Sequence, residues 1–425
     1  MGTEINLMVG GISLSYAKNH MGIDFGHLFQ EGDQTQRRSE EIDNDNNSEN
    51  SEKEEDREIS GMVFARTLRR IVPRLELLNH SLDTARMEYE AVIAGSVVPP
   101  RDDESSFLTF EDFCLLACRY PISSMSDEYI EDETQDWERT AQGRFAVYAD
   151  DFSRLPGDRL DNLYYSEGSY FSSYICILSA ESMLQVFALN PENLDIEVSW
   201  EFGPLVSNGW ASIHDFQPNA RRPQKVLIAT EGSSDTTIIK RSLTIFHPDI
   251  ADFFNFVDVR NTHHFWSVSS LVKFAEGLMR IDIQNKILFI FDNDVEGRQG
   301  FQRLQCLCLP NNMRSMRLPD LDEFSTFPVC GPGGESSADI NGRAAAIECY
   351  LDLNLPNYGP PKIKWNKRGE NVDRWHGALE FKDSYSRHFN KQTDEAFRDG
   401  TYNSAKLQIL LDTLIKEAAK ISFPV

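Results

Sequence analysis

The stretch that most constrains the fold begins at Lys225. "KVLIAT" and "KILFIF" are continuous apolar runs rather than alternating ones, and helical patterns separate them. A strand that is apolar on both faces has to be covered on both faces. Such strands alternating with helices specify an α/β unit, a parallel sheet flanked by helices. The pattern predicts strands at 225–230, 253–259, 286–291 and 313–318, with helices at 233–246, 267–281 and 296–307.

Two of these strands run straight into acids. The first meets Glu231 and Gly232, and the third meets Asp292, Asp294 and Glu296 in "FDNDVEG". Ligands of parallel sheets collect at the carboxyl ends of the strands. Carboxylates a few Å apart repel by roughly several kcal/mol at intermediate dielectric. They persist together when a cation lies between them or when one keeps its proton. Oxygen donors with no His or Cys among them suit Mg²⁺ or Mn²⁺. Such an ion polarises a phosphoryl oxygen, and a pair also activates water. A lone DxD reads most simply as a solvated loop; an acid ending a second buried strand favours a site.

Upstream, Ile5, Leu7 and Val9 alternate, Gly10-Gly11 offers a turn, and Ile12, Leu14 and Tyr16 alternate again, which is a hairpin pattern. Residues 31–58 are acidic, polar and nearly without apolar groups, and are expected to form a disordered loop. Residues 61–95 read as helical with an interruption at Pro73, and Thr109 with Asp112 as a capping box. "YICILS" and "LDIEVSWEF" read as strands, with a short helix near "ESMLQVFAL". "QPNARRPQ" at 217–224 reads as a linker. The expected organisation is an α+β domain over 1–216, an α/β domain over 225–355, and a basic extension over 356–425 that closes on an amphipathic helix.

The formal net charge of −25 argues against coating of nucleic acid by a basic surface. It leaves room for a local site whose field is reversed by bound cations. The seven cysteines are scattered without a CxxC pair, so zinc is not expected and buried free thiols are. No apolar run is long enough to span a membrane, and the N-terminus lacks the pattern of a secretory signal; the expected location is the cytoplasm.

"ATEGSSD" followed by "FDNDVEG" resembles the two motifs of the TOPRIM domain, shared by topoisomerases, bacterial primases and the overcoming-lysogenization-defect (OLD) type nucleases. The resemblance covers about 225–355. It implies a TOPRIM-like sheet, with Glu231, Asp292 and Asp294 as catalytic and metal-binding acids. Glu296 matches the DxDxEG form of type IA topoisomerases. "AAIECYL" is similar to an element of OLD-type nucleases, which implies Glu348 as a further metal-site acid, although "GPGGESSADINGR" before it also offers Glu335 and Asp339; those nucleases place a Lys near the metal site, and Lys382 is a candidate for a catalytic lysine by position only. "LMVGGISLSYAKNHMG", "HLFQEGDQTQRR" and "RLELLNHSLDTARMEYE" resemble the N-terminal region of bacterial HEPN/Toprim-associated proteins, thought to act in anti-phage defence. HEPN ribonucleases carry an Arg and a His at the spacing of Arg74 and His80; an Arg, a His and a helix also coincide by chance.

The most basic stretch, "KIKWNKRGENVDRW", interleaves Lys362, Lys364, Lys367, Arg368 and Arg374 with Trp365 and Trp375. That mixture suits phosphates and stacked bases, or equally an exposed face over apolar packing. The expected function is Mg²⁺- or Mn²⁺-dependent cleavage of phosphodiester bonds in DNA or RNA, as an effector of defence, by a homo-oligomer or hetero-complex. One alternative is a non-catalytic sensor or scaffold. Another is a haloacid-dehalogenase-type phosphatase with Asp292 as nucleophile, although that motif wants Thr or Val where Glu296 stands. No GxxxxGK[ST] loop is present, so ATP dependence would come from a partner ATPase.

Overall fold

The computed structural model describes residues 2–37, 51–96, 107–130, 137–157, 164–257, 267–281, 283–356, 358–368 and 375–422. The chain divides into two compact units, Met1–Ala220 and Arg221–Val425.

The first unit holds a five-stranded antiparallel sheet in the order β2-β1-β5-β4-β3. Its strands are β1 (Glu4–Val9), β2 (Ile12–Lys18), β3 (Gln34–Gln36), β4 (Met62–Thr67) and β5 (Glu197–Glu201). β1 and β2 form the expected hairpin, with Gly10 at φ +56° in the turn. Helices including Leu68–Leu77, Leu82–Gly95, Glu167–Ile175 and Ala180–Phe187 complete the unit. Its core is aromatic: Trp200 lies against Phe25, Phe64, Phe202 and Phe216. Thr109 caps the Phe110–Ala117 helix by accepting from the Asp112 backbone N–H at 3.1 Å.

Four expectations for this unit need correction. "MVFART" is β4 rather than helix; it pairs with strands on both sides and buries Val63, Phe64 and Arg66. Pro73 lies inside the Leu68–Leu77 helix, and the break comes later, where Asn79 takes φ +64° ahead of the Ser81 cap. "YICILS" is not a strand, because Tyr170, Phe171, Tyr174 and Ile175 share one face of a helix that packs on the core. The acidic stretch is also more ordered than its composition suggests. Asp33 is buried against Arg66 at 3.3 Å and Arg70 at 3.4 Å, β3 pairs with β4, and Ser51–Ser60 is helical. Pairing to arginine supplies what apolar burial could not. Residues 38–50 lie outside the described residues.

The second unit is built on a parallel sheet in the order β10-β8-β6-β7: β6 (Val226–Thr230), β7 (Phe254–Phe256), β8 (Lys286–Phe291) and β10 (Met313–Arg317). Every residue of β8 is buried, as a continuous apolar run on a central strand requires. Helices Ser233–Phe246, Val268–Arg280 and Val295–Cys306 connect the strands, close to the expected bounds. From β6 the chain moves to β7 on one side, then to β8 and β10 on the other. The strand order therefore reverses between β6 and β8, and such a reversal opens a crevice at the carboxyl ends of those two strands.

A two-stranded pairing of β9 (Asn293–Asp294) with β13 (Ala344–Ala345) lies beside that crevice. A second sheet, in the order β12-β11-β14-β15, follows: β11 (Phe327–Gly331), β12 (Gly334–Ala338), β14 (Ile363–Arg368) and β15 (Trp375–Leu379). "GPGG" is the turn between β11 and β12, with Gly334 at φ +94°. The Ala405–Ala419 helix buries Leu407, Leu410, Leu411 and Leu414. All seven cysteines are free; Cys306 and Cys308 are exposed rather than buried. Among the described residues no helix is long and apolar enough to cross a membrane.

Candidate metal centre

Glu231 leaves β6 and Asp292 leaves β8, on the two sides of the crevice. The Asp292 backbone N–H donates to Glu231 Oε1 at 3.3 Å, so the two strand ends touch. One turn into the following helix stands Asp235, whose Oδ2 accepts from the Gly232 N–H at 3.0 Å. Asp292 Oδ1 accepts from the Ile347 N–H at 3.2 Å. Asp294 is the N-cap of the Val295–Cys306 helix, with Oδ1 accepting from the Gly297 N–H at 2.7 Å. Asn293, between the two aspartates, points the other way, as alternation in an extended stretch dictates. Its amide donates to Asp320 Oδ1 at 3.0 Å and its oxygen accepts from the Gly342 N–H at 2.7 Å. That buried bond and the β9–β13 pairing draw residues 342–345 against the aspartates. The turn that follows, Ile347–Tyr350, carries buried Glu348.

These acids act on one another's charge. Burial, then the charge of Asp294, pushes Glu231 up to about 8. Burial, then Glu348, pushes Asp235 up to about 7, against opposition that includes the Lys382 ammonium. Asp292 is raised well above the usual carboxylate range by burial and then by Asp235, Glu231, Asp294 and Glu348. Burial also raises Asp294, while the Gly297 N–H and the His376 ring oppose the shift. Asp292 is thus the electrostatic centre of the group. Exposed Glu296, the second residue of its helix, adds negative charge at the rim.

The donor set is all oxygen, which fits Mg²⁺ or Mn²⁺. Among the described residues no three Asp, Glu, His or Cys side chains already close on a common point. The carboxylates crowd one crevice without clasping its centre, and side-chain rotation would bring them onto an ion that relieves their repulsion. Glu231, Asp292 and Asp294 would hold it, with Asp235 and Glu348 within electrostatic reach of Asp292.

Gly297 makes the arrangement sterically possible. A Cβ there would lie 2.2 Å from the Asp292 carbonyl oxygen and 2.9 Å from its nitrogen. Gly297→Ala is therefore expected to destabilise the protein by about 1–3 kcal/mol and to displace Asp292. A thermal melt and a Mn²⁺ titration check this; wild-type values in both would contradict the packing described.

The remaining sequence candidates fall elsewhere. Arg74 is wholly buried, and its guanidinium donates to the carbonyls of His27 at 2.9 and 2.8 Å and Phe29 at 3.3 Å. It holds a loop in place and is not turned to a phosphate. The His80 carbonyl accepts from Gln185 at 2.7 Å, just beyond the helix that carries Arg74. Lys362 is paired with Glu335 at 3.0 Å and Glu380 at 3.7 Å, and Lys364 is exposed on β14. Lys367 and Arg368 end β14, and Arg374 lies outside the described residues. Sequence reasoning missed Asp235, Asn293 and His376. The spacing in "EGSSD", which sets Asp235 one helical turn from Glu231, was the available signal for the first.

Comparison with known proteins bears on the first unit. The profile described as HEPN/Toprim N-terminal domain 1 matches residues 1–224. Searches of curated proteins and of solved structures gave no match. The profile ends before the carboxylate crevice, which stands on its own geometry. Because the matched region is more than half of the 425 residues, the chain belongs to the HEPN/Toprim N-terminal domain 1 family.

Proposed function

We propose that this chain is a divalent-metal-dependent nuclease of TOPRIM type that hydrolyses phosphodiester bonds in DNA or RNA, as an effector of bacterial anti-phage defence. The observation that carries this reading is the gathering of Glu231, Asp235, Asp292, Asp294 and Glu348 at the carboxyl ends of β6 and β8. Membership of a HEPN/Toprim family supports a nuclease-like activity.

Glu231, Asp292 and Asp294 would bind Mg²⁺ or Mn²⁺, with Glu348 and Glu296 supporting a second ion. When bound, the metal would supply Lewis-acid stabilisation of the phosphoryl oxygens. The chain's residues do the rest. One oxygen of Asp292 accepts from the Ile347 N–H and one of Asp294 from the Gly297 N–H, which holds both carboxylates at the crevice and leaves the second oxygen of each to turn toward an ion. Glu231 would serve either as a metal ligand or as the base for the attacking water. Lys382, within electrostatic reach of Asp235, would neutralise charge on the phosphate or leaving oxygen.

Purified protein incubated with plasmid DNA and with tRNA, each with Mg²⁺, Mn²⁺ or EDTA, tests the activity. Cleavage of either polymer with a metal and none in EDTA is expected. Intact polymers under every condition, in a preparation that folds, would favour a non-catalytic sensor or scaffold instead.

A further inference from the structure

Behind the acids, on the side to which Asn293 points, two guanidinium groups converge on one turn, and a third leaves the next residue of that turn, where Arg343 Nη1 donates to the Asp339 carbonyl at 3.2 Å. Gly342, at φ +65°, donates its N–H to Asn293 Oδ1. A Cβ at Gly342 would lie 3.2 Å from Arg317 Nη1 and 3.5 Å from Arg298 Nη1, so both side chains converge on this glycine. Arg298 and Arg317 line a cavity of about 680 Å³ together with Pro319, Asp320 and Asn341. The next residue, Arg343, bridges Asp294 through its backbone and lies with its guanidinium carbon 5.0 Å from the centre of the Trp365 ring.

The acids nearby are mostly committed. Arg317 pairs with Asp320 at 3.0 Å and Arg314 with Glu417 at 2.8 Å. Asp339 accepts from Asn341 at 3.0 Å. Arg298 and Arg343 have no carboxylate partner among the described residues, and the buried Nε of Arg343 has no hydrogen-bond partner at all. Two guanidinium groups that converge at the edge of an open cavity, one of them without a carboxylate partner among the described residues, fit an anion, and planar guanidinium forks fit phosphate in particular. In a chain of net charge −25, this is a local reversal of sign next to the candidate metal centre.

We infer that the Gly342–Arg343 turn gathers Arg298, Arg317 and Arg343 into a strip that binds the phosphate backbone of a polynucleotide beside the bond to be cut. The inference rests on the nuclease reading and adds the path of the substrate. Arg298 and Arg343 are positioning residues that touch flanking phosphates, and the metal ligands are separate from them.

Fluorescence anisotropy of the full chain with a labelled duplex DNA and a matching single-stranded RNA, in Ca²⁺ across a salt series, tests the strip. Arg298→Ala and Arg343→Ala are each expected to weaken binding about tenfold. Each is expected to lower the slope of log Kd against log salt by about 1. Mn²⁺ affinity should stay at the wild-type value in both, the melting temperature should stay at it in Arg298→Ala, and Arg298→Lys should recover most of the slope. Unchanged affinity and slope in both alanine variants, with wild-type cleavage intact, would overturn the strip alone. Failure of the wild-type chain to bind or cleave either polymer would overturn the strip and the nuclease reading together.

Discussion

Asp292→Asn is expected to abolish phosphodiester cleavage while raising the melting temperature of the metal-free protein. The two effects have one cause. Asp292 is half-buried within reach of the charges of Asp235, Glu231, Asp294 and Glu348, and each disfavours its ionised form. An amide has nearly the same shape, can still accept from the Ile347 N–H, and removes one repelling charge. Without metal, relieving that repulsion should stabilise the fold by about 1–2 kcal/mol, the scale of a single-site effect. For a unit of this size that is a rise of roughly 2–6 °C. With metal the amide is a poorer ligand at the electrostatic centre of the site, and cleavage should fall by about 1,000-fold or more. A purely structural acid behaves differently: its loss usually lowers stability. Parallel melts in EDTA and cleavage assays separate the cases, and a variant that melts lower or cleaves normally would contradict this assignment.

The second large effect is a reversal of pH dependence by metal. In the folded protein Glu231 titrates at about 8 and Asp235 at about 7, with Asp292 also raised. In the unfolded chain such groups titrate near about 4. Between these values the folded state holds more protons than the unfolded one, so metal-free stability must fall as pH rises from about 4 to about 8. A divalent cation replaces those protons and binds best when they have left. Mg²⁺ or Mn²⁺ should therefore raise the melting temperature strongly at pH 8 and hardly at all at pH 5. Calorimetric melts in EDTA and in Mn²⁺ at the two pH values check this. Equal metal effects at both would show that the raised carboxyls are not the ligands.

The parts legible in the sequence are those set by local pattern. β8 reads as a strand because five of its six residues are apolar in one run, and Asp292 follows it directly. Glu231 could be paired with it because both acids end strands of one parallel sheet. Asp235 was hidden by its second role, since an acid in the first turn of a helix is accounted for by capping alone. Asn293 carries no charge, and its importance lies in a buried bond to Gly342 far along the chain. Glu348 is delivered by a two-residue strand pairing that has no period to detect. The acidic segment before β4 misled because buried Asp33 is compensated by arginines distant in sequence. His376 and Lys382 lie in a region set apart by its basic composition, yet their charges are felt by Asp294 and Asp235.

Titration of the metal-free protein with Mn²⁺ at pH 8, followed by calorimetry and by the loss of the free-ion paramagnetic signal, tests the central claim most directly. Saturable binding by the wild-type chain, lost in Asp292→Asn and strongly weakened in Glu231→Gln, is the predicted result. No saturable binding, or equal binding by all three proteins, would contradict a metal centre built from the ends of β6 and β8.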